Sequence, residues 1–193
     1  MLDQTALETL FINARSHNGW LKESVTDEQI QKIYDLMKFG PTAANNSPAR
    51  ITFVKSDTAK QQLKAHLDEG NIDKAMAAPV VAIISYDTEF YEKLPFLFPH
   101  TDARSWYAGN DAKIKSAGEM NATLQGAYFM LAARSVGLDC GPMGGFNSNT
   151  LDAEFFPDGK TKSIFLCAIG KGDASKIFPR SPRLSFDEAC NIV

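Results

Sequence analysis

The run Pro79-Val80-Val81-Ala82-Ile83-Ile84-Ser85-Tyr86 constrains this chain more than any other stretch. It is continuously apolar and rich in β-branched residues, without the alternation of a strand that shows one face to water. It therefore reads as a central strand covered on both sides. Lys162-Ser163-Ile164-Phe165-Leu166-Cys167-Ala168-Ile169 repeats the pattern, and Arg50-Ile51-Thr52-Phe53-Val54-Lys55 alternates as a half-buried strand does.

A sheet buried on both faces needs helices above and below it. Residues 3–14 read as one, with Leu7, Leu10 and Phe11 on a stripe. Thr26 opens the next, with Asp27 and Glu28 in its first turn and Gln29 completing a capping box. Ile30, Ile33, Tyr34 and Met37 form its apolar face, and Gly40-Pro41 stops it. Ser56-Asp57 caps a helix over 58–68, on which His66 reads as a surface or boundary histidine. Gly70-Asn71-Ile72-Asp73-Lys74 leads into Ala-rich turns, and residues 88–108, without periodicity, read as an excursion that covers a site. The long helix spans 113–136, its core stripe expected at Ala117, Met120, Leu124, Ala127 and Leu131, while Gly118 and Gly126 permit close packing. Short helices are expected over 147–155 and 186–192. Strands separated by helices predict a mixed α/β or α+β layered fold in one domain, 1–193.

Composition narrows the function classes. The chain is 44% apolar with a net charge of −3 and interspersed signs, which points away from nucleic-acid and membrane partners. Met1-Leu2-Asp3-Gln4 lacks a basic, apolar leader, so a cytoplasmic protein is expected. Cys140, Cys167 and Cys190 form no CxxC pair and no metal set with the three histidines, so reduced thiols and no metal are expected. HExxH, GxSxG and GxxxxGK[ST] are absent, and Gly170-Lys171-Gly172 lacks the third glycine of a dinucleotide fingerprint.

What remains is a set of scattered polar segments. Gly137-Leu138-Asp139-Cys140-Gly141-Pro142-Met143-Gly144-Gly145-Phe146 is, taken alone, a helix C-cap at Gly137 followed by a Gly/Pro loop. Beside the other segments it also suits a backbone cradle along a flat cofactor, with Gly144 presenting an unobstructed N–H. Arg15-Ser16-His17-Asn18 suits an anion or is a solvated loop, and Arg183 offers a second guanidinium. Asn71 and Lys74 suit ring carbonyls, and Pro41-Thr42-Ala43-Ala44-Asn45-Asn46-Ser47-Pro48 is either a plain loop or one that lets a ligand approach closely.

Taken in order, Asn18-Gly19-Trp20, Met37 to Asn45, Ser47-Pro48-Ala49-Arg50, Gly70-Asn71, Glu89 to Pro95, Leu97 to His100, Asp102 to Trp106, Gly141-Pro142-Met143 and Pro182 to Phe186 resemble the nitroreductase family of FMN-dependent oxidoreductases. Within it the resemblance is greatest to the malonic semialdehyde reductases of pyrimidine degradation. It implies an α+β layered fold with a central mixed sheet, flanking helices and a long core helix, in an obligate homodimer with FMN at the interface. By the same resemblance Arg15, Ser16, His17 and Arg183 bind the FMN phosphate, Arg180 or Ser181 adding to them. Asn71 and Lys74 hold the pyrimidine end, while Pro142, Met143 and Gly144 run along the ring. Pro41, Thr42, Ala43 and Asn45 reach the flavin of the other subunit. Two departures from the usual pattern are Ser47 and Ala49, where Gln and Trp commonly flank the proline, and Gly144 in place of a common glutamate.

The implied activity takes hydride from NADH or NADPH to FMN and on to malonic semialdehyde, yielding 3-hydroxypropanoate, with Arg104 as the substrate-carboxylate clamp. A broad nitro-compound or quinone reductase, and a flavin-binding protein with little turnover, are the alternatives. Pairing of Arg104 with Asp102 is the structural alternative for that residue.

Overall fold

The computed structural model describes residues 1–193. Four strands form one sheet in the order β1-β2-β4-β3, with β1 at Ala49–Val54, β2 at Val80–Asp87, β3 at Asp139–Met143 and β4 at Thr161–Gly170. Every strand pair is antiparallel. The mixed character expected of the sheet is confined to a parallel bridge, Ser16 to Cys140, on the outer edge of β3. β2 is central, and Val80 to Tyr86 are all buried, as the unbroken apolar run requires.

Alternate residues of the sheet supply two cores. On one face Val80, Ala82, Ile84, Cys140, Cys167 and Ile169 meet α2 (Asp27–Met37) and α6 (Asp111–Ser135). On the other, Val81, Ile83, Met143, Leu166 and Ala168 meet α3 (Asp57–Lys64), α4 (Glu69–Ala77) and α7 (Ser148–Phe155). Residues 90–114 carry a third cluster, Phe90, Leu94, Ala103, Tyr107 and Ile114, around the single-turn α5 (Leu94–Leu97). α1 (Gln4–Leu7) runs into a π-helical turn over Glu8–Ile12, so the first helix ends two residues short of expectation. α8 (Phe186–Ala189) is likewise shorter than 186–192. No helix is long and apolar enough to cross a membrane.

Four expectations are corrected. Residues 69–77 are a helix, not turns, which sets Asn71 and Lys74 three residues apart on one face. The first half of the glycine-rich stretch is a strand, β3; Pro142 is accommodated because β3 lies at the sheet edge. Gly137 does close α6, with φ of 78°.

The largest correction concerns α6. Its sheet-facing residues are Gly118, Asn121, Ala122, Gln125, Gly126, Phe129, Ala132 and Ala133, whereas Met120 and Leu124 on the expected core stripe are 56% and 47% exposed. Small residues win the inner face because the sheet brings large ones. A Cβ on Gly118 would run into the Tyr86 ring, and one on Gly126 would come within 2.7 Å of Phe165. Close packing at those two glycines was expected, and it decides which face turns inward. His66 is the fourth correction: expected as a surface or boundary histidine, it is buried, at 8% exposure.

Candidate active site

The polar segments converge along β3. Ser16 bridges to Cys140 and the His17 N–H donates to the Cys140 carbonyl at 2.9 Å, which ties the Arg15–Asn18 loop to the start of the strand. Beside it lies a cavity of about 680 Å³, lined by Leu10, Phe11, Arg15, Ser16, Asn18, Arg134, Phe178, Arg180, Ser181 and Arg183 among others. Four guanidinium groups and no carboxylate line it, and none of the four is in an ion pair.

Their hydrogen bonds go to backbone carbonyls. Arg15 donates to Phe178, and Arg180 donates to Ile12 at 2.7 Å and Ala14 at 3.1 Å, a reciprocal clasp between the N-terminal segment and the C-terminal tail. Arg134 donates to Leu10 at 3.2 Å, and Arg183 to Ser181 and Pro182 at 3.0 Å each. Each guanidinium has five N–H donors, so donors remain for an anion.

At the other end of β3, Lys74 Nζ donates to the Pro142 carbonyl at 3.3 Å and Asn71 Nδ2 to the Gly145 carbonyl at 2.9 Å. Trp20 Nε1 fixes this turn of α4 through the Lys74 carbonyl at 3.0 Å. Burial lowers the Lys74 pKa from its usual value, because a half-buried ammonium has lost water and has no carboxylate against it. Gly144 faces open space: a Cβ there would meet nothing within 4 Å. Gly145 is the opposite case, since a Cβ would come within 2.6 Å of Asn71 Nδ2 and 2.7 Å of Asp68 Oδ2.

The loop after α2 is a separate construction. Ala44, Asn45 and Ser47 take positive φ values of 50°, 50° and 38°, a left-handed backbone that non-glycine residues resist. It is held by Asn121 Oδ1 accepting from Ala43 at 2.8 Å and Gln125 Oε1 accepting from Ala49 at 2.9 Å. Thr42 Oγ1 accepts from Ser47 at 3.1 Å, and Asn45 Nδ2 donates to the Leu97 carbonyl at 2.9 Å. None of these bonds reaches Arg15, Asn71, Lys74 or the glycine turn.

The profile described as "Nitroreductase family" matches residues 13–171. The chain belongs to the nitroreductase family. A relative from Ralstonia nicotianae, named "Putative NADH dehydrogenase/NAD(P)H nitroreductase", is 54% identical over 192 residues, covering 100% of this chain and 98% of its own. Among solved structures, a "putative nitroreductase" from Bacillus subtilis superposes with a TM-score of 0.89 at 21% identity, covering 99% of this chain and 100% of that one. Another from Exiguobacterium sibiricum, described as a complex with FMN, gives 0.85 at 18% identity, covering 100% and 99%.

Within this nitroreductase fold the residues singled out from sequence fall into three groups. Arg15, Ser16 and Arg183 line the cavity; Asn71, Lys74, Pro142, Met143 and Gly144 meet at the end of β3; Pro41, Thr42, Ala43 and Asn45 lie on the strained loop. His17 is corrected. Residues alternate in direction along the extended segment, so while Ser16 lines the cavity the His17 ring turns inward. It is 7% exposed and packs against Gly172, with Nε2 3.4 Å from Asp139. Arg104 carries a partner that sequence did not indicate. Its Nε and Nη2 donate to the two Glu92 carboxylate oxygens at 2.8 and 2.6 Å, not to Asp102, and its guanidinium lies 5.7 Å from the Tyr91 ring centre.

The sequence reading missed Asn121, Gln125 and Arg134. The first two carried a signal: amides four apart within 120–133, a stretch of the helix that carries no charged residue. Arg134 carried none, because a base in a helix's last turn is ordinary.

Proposed function

We propose that this chain is a cytoplasmic, homodimeric, FMN-dependent NAD(P)H oxidoreductase, with residues 1–193 forming one flavin-binding domain, and that it reduces malonic semialdehyde to 3-hydroxypropanoate. The observation that supports the cofactor is the donor set. Four unpaired guanidinium groups around a cavity of about 680 Å³ suit a phosphate. An unobstructed glycine at the end of the adjoining strand suits a flat ring.

In this reading Arg15, Ser16 and Arg183, with Arg180 and Arg134, hold the phosphate, and His17 contributes by anchoring the loop to β3. Asn71 and Lys74 hold the pyrimidine end, the half-buried ammonium favouring negative charge there by short-range attraction in a poorly screened setting. Gly144 keeps the ring face clear. When bound, FMN supplies the hydride chemistry between nicotinamide and acceptor. Pro41, Thr42, Ala43 and Asn45, which make no hydrogen bond to the site of their own chain, approach the flavin of a second copy. An exposed apolar surface on α2, the turn after it and α6, including Tyr34, Phe39, Met120 and Leu124, supports that pairing.

Arg104 binds the substrate carboxylate. Its guanidinium already holds a carboxylate in a two-point fork, and substrate takes the place of Glu92 with the geometry unchanged. The name of the Ralstonia nicotianae relative favours a second reading, a broad NAD(P)H nitro-compound reductase.

An anaerobic absorbance experiment separates them. NAD(P)H is expected to bleach the protein's yellow colour, and malonic semialdehyde to restore it. Restoration only by nitroaromatics or quinones would replace the aldehyde-acid reading with the second. No flavin spectrum after reconstitution with FMN would overturn both.

A further inference from the structure

His66 uses both ring nitrogens although it lies outside the groups assigned to the flavin. Its Nδ1 is 2.9 Å from Thr150 Oγ1 and its Nε2 is 2.8 Å from Glu154 Oε2, both on α7. The ring is 8% exposed and the Phe155 ring stands edge-on to it at 6.4 Å. Its backbone carbonyl accepts from the Asn147 N–H at 2.8 Å, and the next residue, Leu67, bridges to Phe146. Asp68 N–H then donates to the Gly145 carbonyl at 3.1 Å, and Asn71 Nδ2 to the same oxygen at 2.9 Å. Residues 66–71 and 145–150 are thus zipped together in register, and the imidazole is the side chain that locks this register to α7.

We propose that His66 is a positioning residue for the flavin-facing glycine turn, setting where Gly144 presents its backbone; this rests on the FMN reading above. The geometry carries it. Gly144 and Gly145 lack side chains, so nothing on the turn itself fixes its direction. The turn is held from behind by the bonds of Gly145 and Asn147 to residues 66–71, with Phe146 set opposite Leu67 between them, and those residues would pivot about α7 without the two imidazole bonds. The Glu154 carboxylate can only accept, so Nε2 donates to it, while Nδ1 pairs with the Thr150 hydroxyl; both ring nitrogens are tied to α7. A glutamine retains one of the two bonds and a phenylalanine none.

The test compares wild type, His66→Phe and His66→Gln by three readouts: FMN titration of apoprotein followed by fluorescence quenching, the midpoint potential of bound FMN, and amide hydrogen exchange at 144–147. His66→Phe is expected to weaken FMN binding by about tenfold, the ratio that one lost hydrogen bond to a charged group produces. It should also displace the potential and raise exchange at 144–147 above that of β2, with His66→Gln recovering part of each. A variant with lowered thermal stability but unchanged FMN affinity, potential and local exchange would overturn the proposal. If His66→Phe fails to fold, Thr150→Val and Glu154→Ala each remove one of the two bonds at exposed positions. Unchanged affinity in both would be equally fatal. If wild type takes up no FMN, the FMN reading fails separately, and exchange at 144–147 still decides whether His66 sets the turn.

Discussion

Asn121 Oδ1 accepts the Ala43 N–H at 2.8 Å, so a residue in the middle of the longest helix fixes the start of the most strained loop. Its Nδ2 is occupied by the Ala117 carbonyl at 2.8 Å, which leaves the oxygen aimed at the loop. Asn121→Ala removes the acceptor while the left-handed backbone at Ala44, Asn45 and Ser47 still has to be held. The expected cost is about 1–3 kcal/mol in chemical denaturation, the range for stranding a partly buried donor. Amide exchange at Ala43 should accelerate. Unchanged exchange there would show that Gln125 alone braces the loop.

Gly144 and Gly145 are adjacent but predict opposite outcomes. Gly144→Ala enters open space, so apoprotein stability should stay within about 0.5 kcal/mol of wild type. FMN affinity should fall, because the new methyl stands where the ring face is assigned. Gly145→Ala drives into Asn71 Nδ2 and Asp68 Oδ2 and should cost about 1–3 kcal/mol before any cofactor is added. Thermal unfolding of the two apoproteins, followed by FMN titration, checks both. Equal stability loss in the pair would contradict the geometry.

The layered fold was legible because Val80 to Tyr86 and Phe165 to Ile169 announce strands buried on both faces. What misled was α6. Its sequence is apolar on more than one side, so helical spacing alone could not choose between the Met120–Leu124 stripe and the Gly118–Gly126 stripe. The bulk of Tyr86 and Phe165 across the sheet made the choice, and that is tertiary information. β3 was hidden by its own composition, since two residues of Asp139–Met143 are Gly and Pro, which only an edge position tolerates. In the candidate site, residue types such as Arg15, Asn71 and Lys74 could be picked out. The inward turn of His17, the bond from Asn121 to the strained loop and the contacts of His66 with α7 depend on partners more than 75 positions away or on the direction of one side chain.

Lys74 gives a pH signature of known sign. Burial disfavours its ammonium, so the folded protein binds that proton less tightly than the unfolded chain, whose lysine titrates near the ordinary 10.5. Between the lowered native value and 10.5 the unfolded state holds more protons, and apoprotein stability contributed by this group rises with pH through that window. FMN affinity should move the other way, falling as the ammonium is lost. Lys74→Gln should flatten the affinity profile on the alkaline side. A mutant that keeps the wild-type slope would place the titrating group elsewhere.

Glu92 and Arg104 predict a competition. The hydrogen bonds from Arg104 hold the Glu92 carboxyl below its usual pKa, so at neutral pH both partners are charged. Arg104→Ala should raise KM for malonic semialdehyde and leave NADH oxidation with quinones unaltered. Glu92→Gln weakens the internal competitor and should lower KM for the aldehyde acid, the reverse effect from the other half of one ion pair. A KM that does not respond to either change would return the pair to a purely structural role on the 90–107 lobe.

Met120 and Leu124 lie one turn apart on the solvent side of α6, with Tyr128 39% exposed one turn further on and Tyr34 51% exposed on α2. Apart from Tyr128, whose ring packs on Gly40, this apolar row lies outside a helix whose inner face is already packed, which suits contact with a second copy. Replacing Met120 and Leu124 together with Glu leaves every buried contact of α6 in place, so each chain should still fold. Two like charges placed opposite their own copies would oppose self-association. Sedimentation should show a dimer for wild type and a monomer for the double variant. FMN should be lost with the dimer, if Thr42 and Asn45 act on the site of the other copy as proposed. A monomeric variant that retains FMN at wild-type affinity would show that each chain completes its own site.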